Sequence, residues 1–413
     1  VSQILGISLG LFFPLSLVFP NVGPVILIFT AVLAFVRSWT SPFKITVSQP
    51  FPILSLTLMW IFLSTSWSIT PYMSLISGLN VLAFMGAGLY VFFLMRTLPE
   101  KELVFIRKCW LGGGIIGCFV LGGVLLWDAS FPIPKQGYDD LRSSFYPSVV
   151  LFTFMLGPLV YNLILYLQDV SYFKSCRWPR YLAGVSAFGA GGLLIHRFHM
   201  PTASFAFMVG GVGGICASFK PRFLIRLTSL LIVLFSLTSP FTLKNIPHYA
   251  KTQKSDLYQT LTTRFGRQLP LWEHVAKQIH KRPLLGWGHN TVQADDFENH
   301  IYEFEAPAHQ MQREKAYQGI LAAPLNVALQ IWFELGLFGA FLFSLFLIWL
   351  GWCMVSMTDT LKIMASFYGF LTVIIFALNG FNIWGRWWIA SIWWVVLIFG
   401  SLNCHNREKK YNE

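Results

Sequence analysis

Apolar residues in this chain come in long runs, and polar ones gather in the stretches between them. A helix crossing the hydrocarbon of a bilayer needs about 20 mostly apolar residues, with about 17 to 25 tolerated, and about twelve runs of that order can be counted. They lie near residues 3–19, 23–36, 53–66, 75–94, 103–127, 147–167, 182–195, 203–218, 223–241, 324–355, 363–378 and 387–402. Several hold internal Gly or Pro, including Pro14, Gly112 to Gly114 and Gly210 to Gly214. Both residues are common in membrane helices, where neighbouring helices satisfy the freed backbone groups. The pattern predicts an all-α polytopic integral membrane protein with about 12 transmembrane helices and one large loop. That loop, residues 242–322, separates N-terminal helices in 1–241 from C-terminal helices and a tail in 323–413.

Composition agrees with the pattern. Hydrophobic residues make up 55% and charged residues 12%, against about 25% charged in a soluble domain, and the mean hydropathy is +0.59. Lys and Arg fall on alternate connections: Arg37 and Lys44; Arg96, Lys101, Arg107 and Lys108; Lys174, Arg177 and Arg180; Lys220, Arg222 and Arg226; Lys362; and Arg407, Lys409 and Lys410. Cytoplasmic loops carry this excess, so both termini are expected in the cytoplasm and the long loop outside. The net charge of +12 is then mainly a topogenic signal that also meets anionic membrane lipid. A nucleic-acid partner is not expected, since no basic stripe lies on a soluble face. The first run lacks a basic leader and a small-residue cleavage site, and reads as a retained span. The six cysteines sit in or beside spans without close pairing, so neither a disulfide nor a metal site is expected.

The outward half holds the candidate chemistry. Arg386 stands in FNIWGRWWIASIWW among Trp384, Trp387 and Trp388, readable as a snorkelling Arg in an aromatic belt or as a grip on an anionic group. Arg142 divides between loop anchor and anion contact. In RFGRQLPLWEHVAKQIHKRPLLGWGHN, the residues Leu271, Trp272, Val275, Ala276 and Ile279 share one face. They predict an amphipathic helix, stopped by Pro283 and Gly286 and able to lie on the membrane. Arg264 and Arg267 just ahead of it could form a fork for phosphate through bidentate hydrogen bonds.

Four blocks carry a family resemblance: SWSITPYMSL, RQLPLWEHVAKQIHKRPLLGWG, PLNVALQIWFELGLFGA and NIWGRWWIA. In that order, on this topology, the chain resembles the O-antigen ligase/polymerase family of bacterial envelope glycosyltransferases, with the closest likeness to alphaproteobacterial members. The resemblance implies an inner-membrane enzyme whose large loop faces the periplasm. Its expected reaction is an inverting, metal-independent transfer of glycan from undecaprenyl diphosphate to a lipid A core or other glycan acceptor, without a cofactor. Arg side chains would hold the diphosphate, with Arg142, Arg264, Arg267, Arg386 and Asn326 as the substrate-binding candidates, and a loop His would act as general base.

The chain departs from the family at that base. Where members similar to it read His-Pro-His-Asn, it reads Ala323, Pro324, Leu325 and Asn326; the family's Arg before Trp272 aligns with Gln268, beside Arg267. Asn326, Gln330, Glu334 and Gly336 remain as scaffold. Candidates to replace the base are His289, His300 and His309, or Glu303 or Glu305 with a raised pKa; His309 lies nearest the lost motif. Three readings follow: a transferase with a displaced base, a family member that binds carrier or partner without transfer, or a lipid or solute transporter.

Overall fold

The computed structural model describes residues 1–19, 21–39, 50–130, 135–169, 178–198, 200–244, 268–293, 326–379 and 382–402. Among these the structure is all-α, without strands. The helices are α1 (Ser2–Val18), α2 (Val22–Ser38), α3 (Pro50–Ser64), α4 (Pro71–Thr97), α5 (Glu100–Ser130), α6 (Lys135–Asp169), α7 (Trp178–Arg197), α8 (Pro201–Phe219), α9 (Pro221–Leu243), α10 (Gln268–Ile279), α11 (Val327–Val355), α12 (Thr360–Asn379) and α13 (Arg386–Leu402). Each apolar run of the sequence is one of these helices. Seven are long and apolar enough to cross a membrane, and four shorter apolar helices accompany them. The chain is therefore an integral membrane protein.

Lipid-facing and core-facing surfaces are equally apolar here, so shape rather than hydrophobicity joins the helices. Small residues permit the closest crossings. A side chain on Gly113 of α5 would strike the backbone of Gly10 in α1, at one of the most extensive helix contacts in the protein. The enclosed centre is α6, which packs on α12. There Tyr368 fills the space left by Gly157 and donates its hydroxyl to the Thr153 carbonyl at 2.6 Å. Indole N–H groups tie further pairs, with Trp332 of α11 donating to the Ser236 carbonyl of α9 at 2.8 Å and Trp394 of α13 to that of Gly23 at 3.3 Å.

Two elements differ from the sequence reading. Residues 324–355 read as one uniform apolar run, whereas α11 is broken at Gly336, whose φ of 66° and ψ of −163° are non-helical. The amphipathic α10 was expected to be able to lie on the membrane. Its apolar face is instead buried against protein: Leu271, Trp272, Val275 and Ile279 pack with Val292, Leu329, Trp332 and Phe333, and the helix contacts α9 and α11.

The α1–α5 crossing gives a paired test. Gly113→Leu should lower thermal stability in detergent by at least the ~1–3 kcal/mol typical of overpacking. Gly112→Leu, at the neighbouring position with open space around it, should leave the melting temperature close to wild type.

Candidate functional site

The break in α11 organises the site. Without a regular turn at Gly336, the carbonyls of Phe333 and Glu334 and the N–H of Leu337 lose their helical partners, and in a membrane protein such groups must be satisfied from elsewhere. The segment after α10 supplies them. Trp287 N–H donates to Phe333 O at 2.8 Å, Gly288 N–H to Glu334 O at 2.9 Å, and Leu337 N–H to Pro283 O at 2.8 Å. The Trp60 indole of α3 donates to Leu335 O at 3.0 Å. The two backbones approach so closely that a Cβ on Gly286 (φ +70°) would lie 2.5 Å from the Glu334 carbonyl oxygen. Only glycine combines that approach with a positive φ.

The break turns Glu334 toward a buried polar cluster. Its Oε1 accepts from Gln330 Nε2 at 3.1 Å, and its Oε2 from Asn290 N–H at 2.9 Å and from the Trp384 indole. Gln330 bridges onward, donating to Asn382 Oδ1 at 2.8 Å and accepting from Ile383 N–H at 3.2 Å. Asn290, at φ 59°, occupies the left-handed region that Asn tolerates better than most residues. Asn326 caps α11, its Oδ1 accepting from Ala328 and Leu329 N–H at 3.1 and 3.2 Å.

His289 closes the cluster from the loop side. Its backbone N–H donates to Ser64 Oγ at 3.1 Å and its carbonyl accepts from Ser74 Oγ at 2.5 Å. The ring Nε2 lies 3.0 Å from Ser77 Oγ, Nδ1 lies 4.0 Å from Glu334 Oε2, and the ring meets Trp384 edge-on at 4.4 Å. Burial pushes this imidazole down to about 3, so at neutral pH it is uncharged and a weak base.

Each of the four blocks that carry the resemblance reaches this cluster: Ser74, Gly288, Glu334 and Trp384 come one from each. All approach from the same end of the bundle, since α4, α11 and α13 each begin here. Arg386 opens α13, exposed, two residues beyond Trp384. The guanidinium set over an indole is not that of Arg386 but of Arg282, 4.3 Å from the Trp287 ring. His309, Arg264, Arg267, Ala323 and Leu325 lie outside the described residues, as do His300, Glu303 and Glu305, and Arg142 is described only as a backbone position in α6.

Two outcomes follow. Glu334→Ala strands three buried donors, so it should cost about 3 kcal/mol or more. Glu273→Ala removes only the Lys277 pair on the surface of α10 and should cost under ~0.5 kcal/mol; chemical unfolding in detergent reads both. His289 titrates near 6.5 when unfolded and about 3 when folded, so below about 6.5 the unfolded state binds the extra proton. Stability that is complete above that pH should fall by about 1.4 kcal/mol per unit as pH drops toward 3. His289→Gln should remove that part of the slope between pH 7 and 5.

Residues 181–344 match the family model described as O-antigen ligase. A Rickettsia typhi protein named "Putative polysaccharide ligase" is 23% identical over 356 residues, 84% of this chain and 79% of its own length. Relatives with the same designation in Rickettsia conorii and Rickettsia bellii are 29% and 31% identical over 205 and 207 residues, about half of this chain and under half of each relative. No solved structure matches the chain. The matched region contains Gly286 to Asn290, Glu334 and the break at Gly336, and by it and these relatives the chain, an integral membrane protein, is similar to the O-antigen ligase family.

Proposed function

We propose that this protein transfers a glycan from an undecaprenyl diphosphate carrier to a sugar hydroxyl at the periplasmic face of the bacterial inner membrane. The observation that carries the reading is the convergence of the four blocks on one cluster, at the end of the bundle opposite the basic connections. Basic connections mark the cytoplasmic side, so the cluster, Arg282 and Arg386 face outward and both termini face inward. The acceptor is the lipid A core or another glycan.

In the reaction, a base takes the proton of the acceptor hydroxyl and the oxygen attacks the anomeric carbon. The bond from that carbon to the phosphate oxygen breaks, its electron pair leaves with undecaprenyl diphosphate, and the configuration inverts. Guanidinium groups suit the charge growing on the leaving group because they bind phosphate oxygens bidentately. Arg386 takes that role, with Arg142, Arg264, Arg267 and Asn326 as further contacts to the substrate. His309 is the base, in place of the imidazoles absent at Ala323 and Leu325.

Those two residues favour a second reading, a carrier-binding member without a base. Transfer by the purified protein in phospholipid vesicles, from a synthetic undecaprenyl diphosphate glycan, separates the two. Wild-type transfer that drops about 10²- to 10⁴-fold in His309→Ala supports the displaced base. Carrier binding without transfer, with activity appearing in Ala323→His/Leu325→His, supports the second reading. If neither version binds carrier, both fail. Arg386→Ala should weaken carrier binding at least tenfold and Arg386→Lys less, because Lys keeps the charge but loses the fork.

A further inference from the structure

Between them, α4, α11, α12 and α13 leave a cavity of about 630 Å³ that runs from beneath the cluster to the opposite end of the bundle. Its walls are apolar along most of their length, formed by Phe346, Leu350, Val373 and Val396. One end reaches Val327 and Ile383 beneath the site, and the other is lined by Arg96 and Lys362. The basic end is built rather than merely exposed: the Arg96 guanidinium lies 5.7 Å from the ring of Phe92, itself a wall residue. Asp359 also lines this end, but its carboxylate is engaged. Oδ1 accepts from the Leu361 and Lys362 N–H groups at 2.9 and 3.3 Å, and Oδ2 accepts the Tyr161 hydroxyl at 2.8 Å. Arg96 and Lys362 against the one carboxylate of Asp359 leave this mouth net positive, and Arg96 is the cation on its exposed side.

We infer that this cavity is a binding site for an anionic phospholipid of the cytoplasmic leaflet, with its phosphate at Arg96 and an acyl chain along the wall of α11 and α12. Basic pockets between membrane helices on the cytoplasmic side suit such headgroups. The charge pattern selects this leaflet. Arg96 and Lys362 belong to the connections rich in Lys and Arg, with Lys101, Arg107 and Lys108, whereas a carrier diphosphate engaged at Arg386 would sit at the opposite face. The assignment rests on the membrane topology and does not require the transfer reaction.

Native mass spectrometry of the full chain, released from detergent after equal loading with phosphatidylglycerol and phosphatidylethanolamine, reads the site without any glycan. Wild type should retain phosphatidylglycerol about fivefold over phosphatidylethanolamine, the contribution of one cation near a lipid surface. R96Q should bring the two to parity and R96K should keep the preference, which a merely structural role of Arg96 would not produce. Val373→Trp, which fills the apolar wall, should lower retention of phosphatidylglycerol. Equal retention of both lipids by wild type would mark ordinary boundary lipid and overturn the site. So would a preference that survives R96Q, or complete displacement of phosphatidylglycerol by undecaprenyl phosphate.

Discussion

The broken turn at Gly336 is the constraint on which the outer half of the molecule depends. A continuous α11 would satisfy its own backbone and leave nothing for residues 283–288 to hold. Breaking it exposes carbonyls and an N–H in a region where water cannot compensate, and these become the docking points of the loop. The same interruption presents Glu334 to Asn290, Gln330 and Trp384. A single glycine thus couples a backbone seam to a side-chain network, and the loop, α11 and the start of α13 are fixed by one another. Positioning of this kind is what a site on a membrane surface needs, since rigid elements hold catalytic geometry better than free loops.

Much of the fold was legible because hydropathy acts over whole helices. Runs of about 20 apolar residues have few alternatives to a membrane helix, and each became one. The break in α11 was hidden for the same reason: IWFELGLFGAF stays apolar on both sides of Gly336, and glycine is common in unbroken membrane helices. One clue was present. A carboxylate at Glu334 inside an apolar run needs partners, and a glycine two residues later offers a way to bring a loop against it.

The site was legible in its blocks and obscure in its contacts. Ser74, Gly288, Glu334 and Trp384 are scattered over more than 300 positions, and only the fold shows that the segments named for resemblance meet at one place. Gln330 was read only as scaffold and Asn382 only as the first residue of a block, because amides look alike whether they bridge buried groups or face water. Nothing in the sequence singled out Arg282, yet its guanidinium lies 4.3 Å from the centre of the Trp287 ring. The amphipathic spacing of α10 predicted a buried face correctly, but spacing alone does not distinguish a lipid surface from a protein one.

Helix length on one flank carries a consequence for the surrounding bilayer. α2, with described non-helical residues beyond both of its ends, is 17 residues long, and it packs on α1 and α13. Seventeen residues rise only about 26 Å, short of the roughly 30 Å of a hydrocarbon layer. A bilayer meeting that side must pinch by about 4 Å, or the flanking residues must reach outward to it. Such a mismatch draws the headgroup plane inward along α2.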